Sequence, residues 1–257
     1  MRRRQLIEIE DLAWCPRTIR DGGTEWLAFL GSVSGAFTSA LGPIRRALNA
    51  TGTNVVVDLC SGAGGPMHAL APALCREGIR IVLSDLYPNV WAFVAARQAA
   101  GVEFCTEPVD ATRVPRSLTG VRTMFNAFHH FDVAQATAVL ADAVAAGQAI
   151  AIFEGATTRA LGLIVMPAQI PAILLMTPFV RPFRWSRLLF TYVLPLIPLL
   201  VLFDGTVSFL RLYTRPELED VVAATRGHEQ FDWEIGSLRV RGLPAHVSYL
   251  LGIPKRR

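Results

Sequence analysis

The chain has 257 residues and a mass of 28.1 kDa, enough for one large α/β core with additions and too short for two full domains with linkers. Its 52% hydrophobic content and mean hydropathy of +0.37 are high for a water-soluble domain, while a net charge of +4 and a pI near 9.2 are too mild to favour nucleic acid as a partner. Much of that charge is terminal, in Arg2 to Arg4 and Lys255 to Arg257, where a solvated tail and contact with anionic lipid are both consistent readings. The opening MRRRQLIEIEDLAW has acids where a secretion signal needs an apolar run, so none is expected. Cys15, Cys60, Cys75 and Cys105 form no CxxC pair and share no metal-type spacing with the histidines. A reduced, cytoplasmic setting and no metal are therefore expected.

Along the chain, residues 24–49 place apolar side chains at helical spacing and predict one or two amphipathic helices, with Thr24 as N-cap. NVVVDL is a β-branched strand; the glycine cluster CSGAGGP and an Ala/Leu-rich helix to about Arg76 follow it. IRIVLSD, VEFCTEPVDA, VRTMFNAF and QAIAIFEG read as further strands, with NVWAFVAARQAA and VAQATAVLADAVAA as helices between them. RPELEDVVAAT is a last helix, and FDWEIGSLRV and AHVSYLLGI are closing strands. Strands alternating with helices at this interval indicate a mostly parallel sheet covered on both faces.

In such sheets ligands bind beyond the carboxyl ends of the strands. The first of these loops, DLCSGAGGPM, carries Gly62, Gly64 and Gly65, which allow sharp turns and close backbone approach, and Pro66 suits the start of a helix. A dinucleotide fingerprint would need glycine at position 67, where Met67 stands, and no GK[ST] of a P-loop follows.

The remaining pattern, an acid followed by G-x-G after the first strand, resembles the class I S-adenosylmethionine-dependent methyltransferases over about residues 50–160. Asp85 closes the second strand where the family's acid grips both ribose hydroxyls, and Asp110 closes the third where the family has an acid or amide near the adenine amino group. The resemblance implies a seven-stranded, mostly parallel, doubly wound sheet that binds S-adenosylmethionine. Its implied cofactor residues are Asp58, Cys60, Gly62, Gly64, Gly65, Asp85, Leu86, Asp110, Ala111 and Asn126. It divides the chain into an N-terminal helical cap (1–50), a cofactor-binding core (51–160), a hydrophobic insertion (161–203) and a segment completing the sheet (204–257). In the family the loop after the fourth strand, here FNAFHHFD, faces the transfer centre. His129 or His130 could take a proton from the acceptor there, and Glu154 after the fifth strand is a further candidate. The same three residues serve equally as backbone-bonding or capping groups.

Residues 161–203 contain no Asp, Glu or Lys, and their only charges are Arg181, Arg184 and Arg187. The apolar runs 161–180 and 188–203 are 20 and 16 residues long, and both contain prolines. A spanning hairpin would break helical hydrogen bonds in lipid and carry three arginines across it. Two other arrangements are open: kinked helices lying in one leaflet, with the arginines at phosphates and Trp185 and Tyr192 at the interface, or a lid over an oily substrate or a homodimer contact. Either points to a hydrophobic or membrane-resident acceptor. Asp204, Arg211 and Tyr213 are candidate substrate contacts unless Asp204 and Arg211 pair, and Trp14 and Arg20 are candidate contacts over the cofactor, with packing in the core the leading expectation for Trp14. The competing functions are a non-catalytic binding protein and an RNA or protein methyltransferase that dimerises through the insertion.

Overall fold

β-branched and aliphatic runs form the strands where the sequence places them. A computed structural model describes residues 3–156, 159–240, 242 and 245–255, so residues 1, 2, 256 and 257 of the basic termini lie outside the described residues. Two helices come first, α1 (Arg17–Ser34) and α2 (Leu41–Thr51), then β1 (Val55–Leu59), α3 (Met67–Arg76), β2 (Arg80–Leu83), α4 (Val90–Ala100) and β3 (Glu103–Phe104). β4 (Val121–Phe125), α5 (Val133–Ala146) and β5 (Ile150–Ala156) complete the parallel part. The insertion is α6 (Arg159–Val165), α7 (Gln169–Met176), a short α8 (Trp185–Leu188) and α9 (Leu196–Arg211). α10 (Arg215–Ala224), β6 (Phe231–Arg239) and β7 (His246–Pro254) end the chain.

The seven strands run in the order β3-β2-β1-β4-β5-β7-β6; β1 to β5 are parallel, while β7 is antiparallel to both β5 and β6. Alternate residues of β1 serve opposite faces, as a pleated strand requires. Val56 packs with α2, α3 and α4, whereas Val57 and Leu59 pack with α5 and α10. The doubly wound sheet that the sequence implied is thus present. Helix ends follow side-chain chemistry: Asn89 caps α4, and Asp132 with Gln135 closes a capping box on α5.

Three expectations are corrected. α1 starts at Arg17 rather than at Thr24, because the two helices before the sheet break at Gly35 and not at the threonine, whose hydroxyl bonds back to the Asp21 carbonyl inside the helix. The third strand shrinks to two residues, since Pro108 and the turn at Asp110 end its pairing with β2. Trp14 is 70% exposed, not in the core.

The stretch Gly162–Phe179 is long and apolar enough to cross a membrane by length and composition, but it is broken into α6, α7 and two 3-10 turns around Pro167 and Pro178. The helices from Trp185 to Val193 and from Leu196 to Arg211 meet at a 78° bend across Leu194 and Pro195. Ile197 and Val201 of α9 pack with Ile173, Val180 and Trp26, joining the insertion to α1. Arg187, 3% exposed, is paired with Glu25 of α1, and Arg184 with Glu25 and Asp21. Only Arg181 of the three arginines faces outward, because two buried carboxylates on α1 claim the others.

Candidate functional site

The carboxyl ends of β1, β2 and β4 open into a cavity of about 650 Å3, the size range of small-molecule and cofactor sites. Its floor is the loop after β1, where Cys60, Gly62, Gly64 and Gly65 all have positive φ. A side chain at Gly62 would enter the left-handed region strained and stand 3.4 Å from Thr24 of α1. Asp85, just beyond β2, is held by two backbone N–H groups: Gly62 donates to one oxygen at 2.7 Å and Tyr87 to the other at 2.8 Å. Burial pushes its carboxyl above the ordinary range, and those two donors pull it back. The loop and the second-strand acid are therefore one rigid unit.

Asp110 reaches the cavity from beyond β3, with one oxygen accepting from the Thr112 amide and hydroxyl at 2.8 and 2.7 Å. Asn126, after β4, has φ +48° and accepts from the Gly155 amide at 2.7 Å. Leu86 and Ala111 complete this end. The remainder of the wall is apolar or aromatic: Leu27 and Leu30 of α1, Phe37, Tyr87, Phe125 and Phe131. The roof is the N-terminal segment, residues 5–12, tied down at Asp204, whose carboxylate accepts the Ile9 and Glu10 amides at 2.8 and 3.0 Å. Arg20 lines the cavity, donating to the carbonyls of Glu10 and Leu12 and lying over the Tyr87 ring.

One wall is ionic. His130 lies between Asp11 at 2.8 Å, Glu8 at 3.2 Å and Glu10 at 3.7 Å. Burial lowers its imidazole pKa, but the carboxylates outweigh burial and carry it up to about 10. Glu10 is pushed up to about 7 by burial, against the attraction of His130. Burial also acts on Asp11, yet hydrogen bonds from His130 and Arg211 bring it down to about 2. Arg211, 2% exposed, pairs with Asp11 and Glu8 and bonds the carbonyls of His129 and His130.

The chain matches no family model and no curated protein. Solved structures do match it: the plantazolicin methyltransferase BpumL in complex with SAH, with TM-score 0.51, 10% identity and coverage of 93% of this chain and 95% of that one. The plantazolicin methyltransferase BamL, in complex with a triazolic desmethylPZN analog and SAH, gives 0.52, 10%, 93% and 96%. An O-methyltransferase family protein from Burkholderia thailandensis gives 0.52 at 20% identity over 92% of this chain, which spans 59% of that protein. The chain has the class I methyltransferase fold.

Within that methyltransferase fold, the residues expected to hold the cofactor divide in two. Cys60, Gly62, Gly65, Asp85, Leu86, Asp110, Ala111 and Asn126 line the cavity. Asp58 and Gly64 do not. Both Asp58 oxygens are taken from beneath the loop, by Thr123 and Ser61 at 2.7 Å each, and burial pushes its carboxyl up to about 7. At Gly64 an added Cβ would strike the His68 ring at 2.8 Å.

Among the candidate bases, only His130 faces the cavity. An imidazole carried to about 10 is protonated near neutral pH and presents a donor there. His129 and Glu154 are buried behind it, with Glu154 accepting the His129 amide at 3.1 Å and its Nδ1–H at 2.7 Å. Arg211 pairs with Glu8 and Asp11, not with Asp204, and Tyr213 bonds the Phe131 carbonyl. No described residue of the insertion 161–203 lines the cavity, so the cover expected of it is made instead by α1 and residues 5–12. The helical cap of α1 was expected from the sequence, whereas the part played by residues 5–12 was not. The only local signal for that part is the acid-rich stretch IEIED at residues 7–11.

Proposed function

We propose that the protein is an S-adenosylmethionine-dependent methyltransferase acting on a hydrophobic or membrane-resident small molecule at the cytoplasmic face of a membrane. One observation carries this reading: the cavity joins a glycine loop and Asp85 at one end to an apolar wall at the other. The residues suit a cofactor that bears both a diol and positive charge. Asp85 would accept from the ribose hydroxyls, Asp110 and the Ala111 backbone would meet the adenine, and the backbone from Cys60 to Gly65 would meet the methionine end. The carboxylates of Glu10, Asp11, Asp85 and Asp110 favour an ammonium or sulfonium group. The cofactor supplies an activated methyl group, and the chain's task is to align the acceptor and exclude water. Leu27, Leu30, Phe37 and Phe131 would hold an apolar acceptor, and protonated His130 would orient a polar atom on it.

Membrane contact is supported by the surface of the insertion. Leu175, Phe179, Trp185 and Val193 are 67–78% exposed on neighbouring turns, with Arg181 beside them to meet phosphate. A spanning arrangement would pull Ile197 and Val201 away from Trp26 and strand the buried Arg187, so lying in one leaflet costs less.

The test is calorimetric titration of S-adenosylmethionine into wild type and Asp85→Asn, with mass spectrometry of small molecules that co-purify in mild detergent. Loss of two charge-assisted hydrogen bonds costs about 3 kcal/mol, or about 100-fold in affinity. Wild type that ignores the cofactor overturns the reading. A binding wild type that forms no S-adenosylhomocysteine with any lipid extract leaves a binding protein.

A further inference from the structure

We propose that Glu8, His129 and His130 form a binding site for one divalent transition-metal ion of the zinc type. A carboxylate oxygen of Glu8 and one ring nitrogen of each histidine lie within 4.8 Å of one another. Two imidazoles and a carboxylate are the donor set that such ions prefer, whereas magnesium and calcium take oxygen. Zinc bonds of about 2.0–2.2 Å place neighbouring ligand atoms about 3.3 Å apart in a tetrahedron, so the widest pair must close by at most about 1.5 Å.

A second observation points to a ligand. His129 is 4% exposed and Glu8 0%, yet His129 Nε2 and Glu8 Oε2 make no hydrogen bond, although Oε2 lies 3.2 Å from the His130 Nδ1 that would ligate beside it. The Glu154 carboxylate at 2.7 Å from Nδ1 makes that nitrogen the N–H, which leaves a lone pair on Nε2. That lone pair faces Glu8 Oε1 at 3.9 Å. Oε1 itself accepts from the Ser208 hydroxyl at 3.1 Å and pairs with Arg211 at 3.2 Å, so the two atoms left for a cation are His129 Nε2 and Glu8 Oε2. A carboxylate behind a histidine is also the usual outer-shell support of a metal ligand, fixing tautomer and ring orientation.

Charge balance agrees. Ligation displaces the proton that His130 otherwise carries, and the dication then faces Glu8, Glu10, Asp11 and Glu154 beside the Arg211 guanidinium, so it takes over the counter-charge that the imidazolium supplied. The fourth position falls to Asp11, 2.8 Å from His130, or to a ligand from the cavity that His130 lines. Resting on the methyl-transfer reading, an ion there would polarise an acceptor oxygen; the metal site itself stands without that reading. Its sequence signal was hidden because Glu8 is 121 residues from His129.

The experiment uses the full chain, stripped with a chelator and titrated with zinc chloride by calorimetry at pH 7.5, with magnesium as control. One zinc per chain is expected, with affinity at least 100-fold weaker in Glu8→Gln and in His129→Gln, whose folding is checked by melting temperature. Cobalt(II) added to wild type is expected to give visible absorption of nitrogen and oxygen ligation without a thiolate band, a readout independent of any variant and of S-adenosylmethionine. Absence of saturable one-to-one binding, a thiolate band, or zinc affinity unchanged in folded variants overturns the site.

Discussion

Glu25 offers the sharpest test of how the insertion is held. Its side chain is 1% exposed, and it accepts from Arg187, from Arg184 at 3.1 Å and from Asn89 at 3.2 Å. Arg187 also donates to the Val180 and Pro182 carbonyls at 2.6 and 2.7 Å, so one carboxylate ties the turn before α8 to α1 and to the cap of α4. Burial raises the Glu25 pKa and lowers that of Arg187, and each partner's charge opposes the shift. Changing Glu25→Leu leaves a guanidinium buried without its counter-charge, which costs about 3–5 kcal/mol. For a chain of this size that is a fall of roughly 6–20 °C in melting temperature. Pairing it with Arg187→Met removes both charges and is expected to recover most of the loss, since a buried ion pair replaced by apolar groups is often neutral. Urea unfolding of both variants, followed by tryptophan fluorescence in the purification detergent, measures this. A loss under about 1 kcal/mol in Glu25→Leu would mean that Arg187 reaches solvent or lipid, and the account of the insertion as anchored to α1 would be wrong.

Other outcomes follow from the same structure. Asp58 has its carboxyl raised from 3.8 to about 7, so the folded state holds its proton more tightly than the unfolded chain. Its contribution is present below pH 4 and lost as pH rises through 7, a difference of a few kcal/mol. Asp58→Asn should remove that slope, seen as a wild-type-minus-variant stability difference that changes between pH 4 and 7; parallel curves would contradict it. Gly120→Ala places a Cβ 2.5 Å from the Val55 carbonyl oxygen at φ +149°, and a loss of at least about 3 kcal/mol in thermal unfolding is expected. Replacing both Phe179 and Trp185 by serine removes about 3–5 kcal/mol of apolar burial in lipid, so sedimentation with phosphatidylglycerol vesicles should weaken at least 100-fold. Unchanged sedimentation, or a wild-type dimer that the substitutions dissociate, would assign this surface to a second copy of the chain.

What the sequence determined by itself was the periodic part of the protein. Alternating β-branched runs and helical segments specified the sheet, and the glycines after β1 with Asp85 and Asp110 specified one end of the cavity, because those constraints act within a strand and its following turn. Asp58 shows where local reading stopped: its position in the motif was legible, but Ser61 and Thr123, which take both its oxygens, come together only in the folded sheet. The insertion shows the same division. Its oiliness was plain in composition, while the inward turn of Arg184 and Arg187 depended on Glu25 and Asp21, more than 150 residues earlier. Tertiary structure alone decided that residues 5–12 roof the cavity and that Glu8 meets His129 and His130, since Asp204 and Arg211 at the far end of the chain hold that segment in place. Contacts that join distant positions carry no period, and burial of charge, which makes them strong, is a property of the fold.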